Sequence, residues 1–203
     1  MSGRTRTTPT EGLHPCLVEQ PGMETYRITA DGSVYYLTFT VIDWLPLFVR
    51  EVPCMIMADS LNYCIHNKGL LVHAYVIMPT HMHAVLADRH MDASRLARTL
   101  TDFRKFTGHA LANWCDTEGA VAFRRAIREN ATGDRDRRLW QPSRHPEMIF
   151  SNAFLETKVN YLHDNPVRAG LVRLPEHWRF SSASFYASGG VETCDVELAC
   201  LEW

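Results

Sequence analysis

Hydrophobic and polar positions alternate along the chain with two different periods, which predict strands in some stretches and helices in others. Apolar runs rich in β-branched and aromatic residues predict four strands, at 33–42, 70–78, 81–87 and 146–150. Pro79 and Thr80 interrupt the second run and separate it from the third. The strands are therefore short, and the middle two are close neighbours in the chain.

Apolar residues at helical spacing predict three helices between and after these strands. The first covers residues 52–69 and ends on Gly69, and the second runs from Ser94 to about Trp114, with Asp92 or Ser94 as its N-cap. The third covers the stretch "NAFLETKVNYLHDNP". The apolar period fades between Cys115 and Arg138, and the charged stretch "RRAIRENATGDRDRR" (124–138) is predicted to be a mobile loop.

The resulting order, β-α-β-β-α-β-α, predicts an α+β fold. It fits a ferredoxin-like split β-α-β domain with an antiparallel sheet and the helices on one face. We expect residues 1–28, which are rich in Thr, Pro and Gly, to form a flexible N-terminal leader without the apolar segment of a secretory signal. Residues 29–186 then form the folded domain, and residues 187–203 form a C-terminal tail.

Composition narrows the function classes only slightly. The chain has 203 residues, 46% of them hydrophobic, and its six cysteines form no CxxC pair, which suits a reducing cytoplasm. A formal net charge of −2 argues against a general nucleic-acid-binding protein. However, the segment 124–138 carries six arginines against three acidic residues, so a basic face can exist on a nearly neutral chain.

The stretch "YVIMPTHMHAVLAD" places two histidines in the third predicted strand. Side chains alternate between the faces of a strand, so His81 and His83 project together and Met82 points the other way. Two imidazoles in this arrangement can bind one divalent cation and leave positions open for a substrate. A strand that merely exposes two histidines to solvent is the alternative, because so short a motif is a weak signal.

The stretch "KVNYLHDNP" carries a second candidate group. Lys158, Tyr161 and Asn165 share one helix face, where the phenol could act as a nucleophile and the amide oxygen could bind a hard cation. Lys158 could lower the phenol pKa or bind a phosphate. Two alternatives stay open: Tyr161 as an ordinary packed aromatic residue, and Asn165 as an N-cap ahead of Pro166.

Five segments together resemble one protein family. They are "YVIMPTHMHAVL", "LTDFRKFTGHAL", "LWQPSRHPEMIFS", "KVNYLHDNPVRAGLV" and "PEHWRFSSASFY". In this order, over roughly residues 30–186, the chain resembles the REP-associated tyrosine transposases (RAYT), which are single-tyrosine HUH transposase-like proteins of bacteria. The resemblance implies a metal-dependent nuclease domain that cuts and rejoins single-stranded DNA beside short palindromic hairpins.

The resemblance also implies roles for particular residues. The two histidines of the HUH motif correspond to His81 and His83, the nucleophile to Tyr161, and a third ligand of a Mg²⁺ or Mn²⁺ ion to Asn165. Cleavage by such a site leaves a 5′-phosphotyrosine intermediate. Thr80 stands where the family usually has Asn.

Basic and aromatic side chains are the expected DNA contacts. The basic ones are Arg104, Lys105, Lys158, Arg168, Arg124 and Arg125, with Arg128, Arg135, Arg137 and Arg138 also available in the charged segment. Aromatic residues that could stack on unpaired bases are Trp140, Trp178 and Phe180. The implied partner is single-stranded or hairpin DNA near the nucleoid of the bacterial cytoplasm, and monomeric and homodimeric forms both remain open.

Two other functions compete with a DNA-nicking and strand-transferring enzyme. One is a domesticated protein that binds hairpin DNA without cutting it. The other is a metal-dependent hydrolase that uses water as its nucleophile. The combination of two histidines, Tyr161 and Asn165 favours the transposase, because DNA binding alone requires none of these groups.

Overall fold

A computed structural model describes residues 33–133, 135–142 and 146–199. The strands are β1 (Val34–Thr40), β2 (Leu70–Met78), β3 (His81–Asp88) and β4 (Glu147–Ile149). The helices are α1 (Glu51–Lys68), α2 (Ala93–Thr117), α3 (Val121–Glu129), α4 (Asn152–Arg168) and α5 (Ala183–Ala187). Short 3-10 turns cover Ile42–Trp44, Leu47–Val49 and Pro175–His177.

The four strands form one antiparallel sheet in the order β2-β3-β1-β4. β1 and β2 flank β3 and are joined through α1, which is the split β-α-β arrangement. The α+β class and the antiparallel sheet predicted from the sequence are thus confirmed. Gly69 ends α1 in the left-handed conformation (φ 72°), which lets β2 begin at the next residue.

The prediction that the helices lie on one face is correct for α1 and α2 and wrong for α4. The large core cluster joins α1 and α2 to one face of the sheet and includes Phe39, Met82 and Phe103. The small core cluster joins α4 to the other face, and its members are Tyr36, Ala74, Val76, Met78, Val85, Leu155, Val159 and Leu162. β2 is buried at nearly every position, so both of its faces need cover.

The charged segment after α2 is also more ordered than predicted. Residues 121–129 form α3, and Ile127 is buried while Phe123 and Ala126 pack against the large core cluster. Arginines separate these apolar positions, and this weakens the helical period in the sequence. The mobile-loop prediction is therefore wrong for residues 124–129.

The last described residues pack against the domain. Val196 is buried in the large core cluster, and the Ala199 amide donates to the Val72 carbonyl at 2.9 Å. The leader predicted at 1–28 and residues 200–203 lie outside the described ranges. Within those ranges, no helix combines the length and the apolar character that crossing a membrane requires.

Candidate active site

The histidine pair, His81 and His83, lies on the face of β3 that α4 covers. Both histidines are half-buried, and their ring centres are 4.6 Å apart. In the antiparallel register, Thr40 is opposite His81 and Thr38 is opposite His83 on the central strand β1. The alternation of side chains predicted from the HxH spacing therefore brings both imidazoles together.

A threonine hydroxyl contacts the Nδ1 atom of each histidine. The distance from Thr38 Oγ1 to His83 Nδ1 is 2.8 Å, and that from Thr80 Oγ1 to His81 Nδ1 is 2.9 Å. When Nδ1 donates its proton to the hydroxyl oxygen, Nε2 carries the lone pair that a cation needs. Thr80, at a position where the resembled family has Asn, thus provides a hydrogen-bonding group to the first histidine.

Burial keeps both imidazoles in their neutral form. Removal from water lowers the pKa of His81. The same effect lowers the pKa of His83 to about 3, with smaller contributions from His81 and from the Lys158 ammonium group. At neutral pH the rings therefore hold no extra proton that a cation would have to displace.

Tyr161 on α4 lies beside the histidine pair. Its ring centre is 6.4 Å from that of His83, and 43% of the residue is exposed to solvent. The guanidinium carbon of Arg168 lies 4.7 Å from the centre of the Tyr161 ring, within the range of a cation–π contact. The phenol is therefore next to the two imidazoles and also accessible from outside.

Asn165 lies one turn after Tyr161, inside the helix. α4 continues through Pro166 to Arg168, so the N-cap interpretation of Asn165 is wrong. Pro166 has no N–H for the Leu162 carbonyl, and the Asn165 amide nitrogen approaches that oxygen at 3.4 Å while donating to the Tyr161 carbonyl at 2.8 Å. Because the nitrogen is used in this way, the carbonyl oxygen Oδ1 is the atom left for a ligand.

Among the described residues, no three His, Cys, Asp or Glu side chains gather into a cation site. A cation at the histidine pair would have two nitrogen donors and would need further donors. The Asn165 amide and the phosphate oxygens of a bound nucleic acid are of the chemical type that completes such a site.

Two side chains of β1, Tyr36 and Thr38, and Glu147 of β4 lie near the histidine pair or Lys158 and were not singled out in the sequence. The ring of Tyr36 stacks on that of His83, with centres 5.3 Å apart. Lys158 lies 5.0 Å above the Tyr36 ring and forms a 2.5 Å ion pair with Glu147 on β4. The alternation of side chains in "VYYLTFT" places Tyr36 and Thr38 on one face of β1. That this face lies beside the histidine pair follows only from the register between β1 and β3.

The predicted DNA-binding residues of α2 lie on a different side of the molecule. α2 covers the sheet face opposite to the histidine pair. Arg104 donates to the Gln141 carbonyl at 2.6 Å and packs over the Phe39 ring, whereas Lys105 is exposed. The structure therefore brings Lys158 and Arg168 to the candidate site, but not these two residues.

Most arginines of the charged segment form ion pairs or hydrogen bonds with other groups of the protein. Arg128 and Arg137 pair with the Asp116 carboxylate at 3.1 and 2.8 Å, and Arg124 donates to the Asp116 carbonyl. Arg125 pairs with Glu129 one turn away. The contacts with Asp116 attach α3 and the segment after it to the end of α2.

The aromatic residues predicted to stack on bases already contact other groups of the protein. Trp140 is buried and donates to the Thr107 hydroxyl, and the Trp178 indole donates to the Ile77 carbonyl at 2.9 Å. Phe180 packs against the large core cluster. Trp44 is exposed instead, with its ring centre 5.8 Å from that of His81.

Comparison with solved structures gives the same fold. The chain matches the structure of a REP-associated tyrosine transposase bound to a REP hairpin, with a TM-score of 0.60 and 18% sequence identity. The match covers 89% of this chain and 95% of the other. No family model and no curated protein sequence matches the chain. The resemblance read from the sequence is thus confirmed in three dimensions: the chain has the fold of a REP-associated tyrosine transposase.

Proposed function

We propose that this protein is a metal-dependent endonuclease and strand transferase that cuts single-stranded DNA beside palindromic, REP-like hairpins. The observation that carries the proposal is the position of Tyr161, whose ring lies 6.4 Å from His83 next to the histidine pair. A phenol beside two neutral imidazoles that can bind a cation is suited to phosphoryl transfer through a tyrosine.

The reaction would use the Tyr161 phenolate oxygen as the nucleophile. The phenol loses its proton to solvent, and its oxygen attacks the scissile phosphorus in line. The bond from phosphorus to O3′ breaks, and the 3′-oxygen takes up one proton from solvent and leaves as a hydroxyl group. A 5′-phosphotyrosine remains. Because a phenolate (pKa about 10) is a better leaving group than an alkoxide, a second 3′-hydroxyl can later displace it and reseal the strand.

The residues present fit a Mg²⁺ or Mn²⁺ cofactor. His81 and His83 would hold it through their Nε2 atoms, because each Nδ1 contacts a threonine hydroxyl, and Asn165 would add its amide oxygen. Such a cation supplies charge stabilisation to the non-bridging phosphate oxygens. Arg168, next to the phenol ring, would bind the phosphate backbone close to the nucleophile.

The structural neighbour supports hairpin DNA as the substrate of this protein. That transposase was solved with a REP hairpin bound, and its fold extends over nearly all of this chain. A hairpin beside the cut site would place single-stranded DNA in reach of an exposed tyrosine, whereas a continuous duplex would not present an unpaired strand.

Incubation with end-labelled hairpin DNA and Mn²⁺ tests the proposal. We expect a covalent protein–DNA adduct that resists denaturation and is lost in Tyr161→Phe, a change that removes only the hydroxyl oxygen. Binding without any cleavage would instead indicate the domesticated hairpin-binding protein. Cleavage that survives in Tyr161→Phe would indicate a hydrolase that uses water.

A further inference from the structure

Trp44 is a large aromatic residue exposed at the edge of the candidate site. It follows β1 in the 3-10 turn Ile42–Trp44, and 57% of its surface is accessible to solvent. Its ring meets that of His81 edge-on at 5.8 Å. Aromatic contacts therefore run in sequence from Trp44 to His81, to His83 and to Tyr161.

The backbone holds Trp44 in an unfavourable conformation. Asp43 and Trp44 both have positive φ, at 49° and 53°, although neither is glycine. L-residues with a Cβ pay a conformational cost there, and such residues tend to cluster at ligand-binding positions. An exposed indole gains little from burial to offset that cost, so the fold alone does not account for a tryptophan here.

The turn that carries Trp44 is fixed from two sides. The side-chain amide of Asn130, at the end of α3, donates to the Asp43 carboxylate at 2.8 Å. The Ile42 amide donates to the Leu139 carbonyl at 2.8 Å. These two hydrogen bonds fix the conformation of the turn, and the turn exposes the indole to solvent beside the histidine pair.

We propose that Trp44 binds the nucleic acid by stacking on an unpaired base next to the scissile phosphate. The inference rests on the proposed function and identifies the ligand as single-stranded DNA rather than duplex. Proteins that bind unpaired strands commonly stack bases on exposed aromatic side chains beside basic groups. Removal of one stacking aromatic side chain typically weakens binding by about 5- to 150-fold.

The test measures binding to a short DNA hairpin with single-stranded thymine arms, with all proteins carrying Tyr161→Phe so that Tyr161 cannot cut the DNA. Three variants are compared with the parent: Trp44→Gly, Trp44→Phe and the control Tyr63→Ala. Gly relieves the positive φ, so Trp44→Gly should unfold at the same temperature as the parent or higher. Tyr63 is a matched control, because it is 58% exposed and lies on α1, on the opposite face of the sheet.

We expect Trp44→Gly to lose about 5- to 150-fold in affinity, Trp44→Phe to retain most of it, and Tyr63→Ala to bind like the parent. An abasic site is then placed at each arm position in turn. At one position the parent and Trp44→Gly should bind equally well, because the stacked base is already absent.

Equal affinity of Trp44→Gly and the parent for the intact hairpin would overturn the inference. So would a loss that persists unchanged at every abasic position, since that pattern indicates a structural role. Cleavage by the protein with native Tyr161 remains a separate measurement. If the native protein cuts the hairpin but Trp44 proves dispensable, the inference fails while the proposed function stands; if no DNA is bound at all, both fail.

Discussion

Thr38→Val should weaken cation binding without disturbing the fold. The substitution keeps the β-branched shape of the side chain and removes the hydroxyl that lies 2.8 Å from His83 Nδ1. In the free protein, the imidazole can respond by moving its proton to Nε2. With a cation on Nε2, the proton must stay on Nδ1, where the variant offers it no acceptor.

The expected loss of cation affinity follows from this difference between the free and the cation-bound protein. Loss of the hydrogen bond costs about 1 kcal/mol, and leaving a half-buried N–H unpaired brings the total to about 1.4–2.8 kcal/mol, all of it in the cation-bound state. Since 1.4 kcal/mol corresponds to about a tenfold change in affinity, we expect a loss of about 10- to 100-fold.

Calorimetric titration with Mn²⁺, without DNA, measures the affinity directly. The Mn²⁺ concentration that gives half the maximal nicking rate should shift by the same factor. Thr101→Val is the control, because this exposed threonine on α2 donates only to the Ala97 carbonyl of its own helix among the contacts described. An unchanged Mn²⁺ affinity in Thr38→Val would refute the assignment of His83 as a ligand oriented by Thr38.

Two further expectations concern α4. Asn165→Asp loses the amide donor to the Tyr161 and Leu162 carbonyls, so the free energy of unfolding in urea titrations should fall by about 1–2 kcal/mol. The variant keeps an oxygen ligand, so its activity should still respond to Mn²⁺. Loss of the Mn²⁺ response with normal stability would contradict this expectation. Burial lowers the pKa of His163, whose Nε2 lies 2.8 Å from Ser182 Oγ, to about 4 from 6.5. The unfolded state therefore binds more protons, and stability should fall by up to about 3 kcal/mol as the pH drops from 6.5 towards 4. His163→Gln should flatten this pH dependence, and an equally steep one in the variant would assign the acid sensitivity to other groups.

Much of the architecture was readable from the sequence because β2 and β3 each have a clear beginning and end. β2 has the bounds predicted for it, and β3 extends only one residue further, since Pro79 and Thr80 separate them and Gly69 precedes β2. α3 was missed because arginines interrupt its apolar positions. The side of the sheet on which α4 packs was also missed, since β2 is apolar on both faces and its pattern favours neither.

The candidate site was predictable only in part, for a similar reason. His81 and His83 share a face by strand geometry, and this needed no knowledge of the fold. Thr38 joins them through the pairing of β1 with β3, which local patterns do not encode. Trp44 gave no signal either, because its position beside His81 depends on a turn geometry that the sequence does not reveal.

The intramolecular pairing of the arginines should determine how strongly the DNA affinity depends on salt concentration. Arg128 and Arg137 already neutralise Asp116, and Arg125 is paired with Glu129. On binding, phosphates would replace these two carboxylates as partners of the three arginines, so the complex would release fewer counterions in net terms than three unpaired arginines would. Affinity should then fall only gently with ionic strength, and discrimination would come from the hairpin's shape and its unpaired bases rather than from charge density.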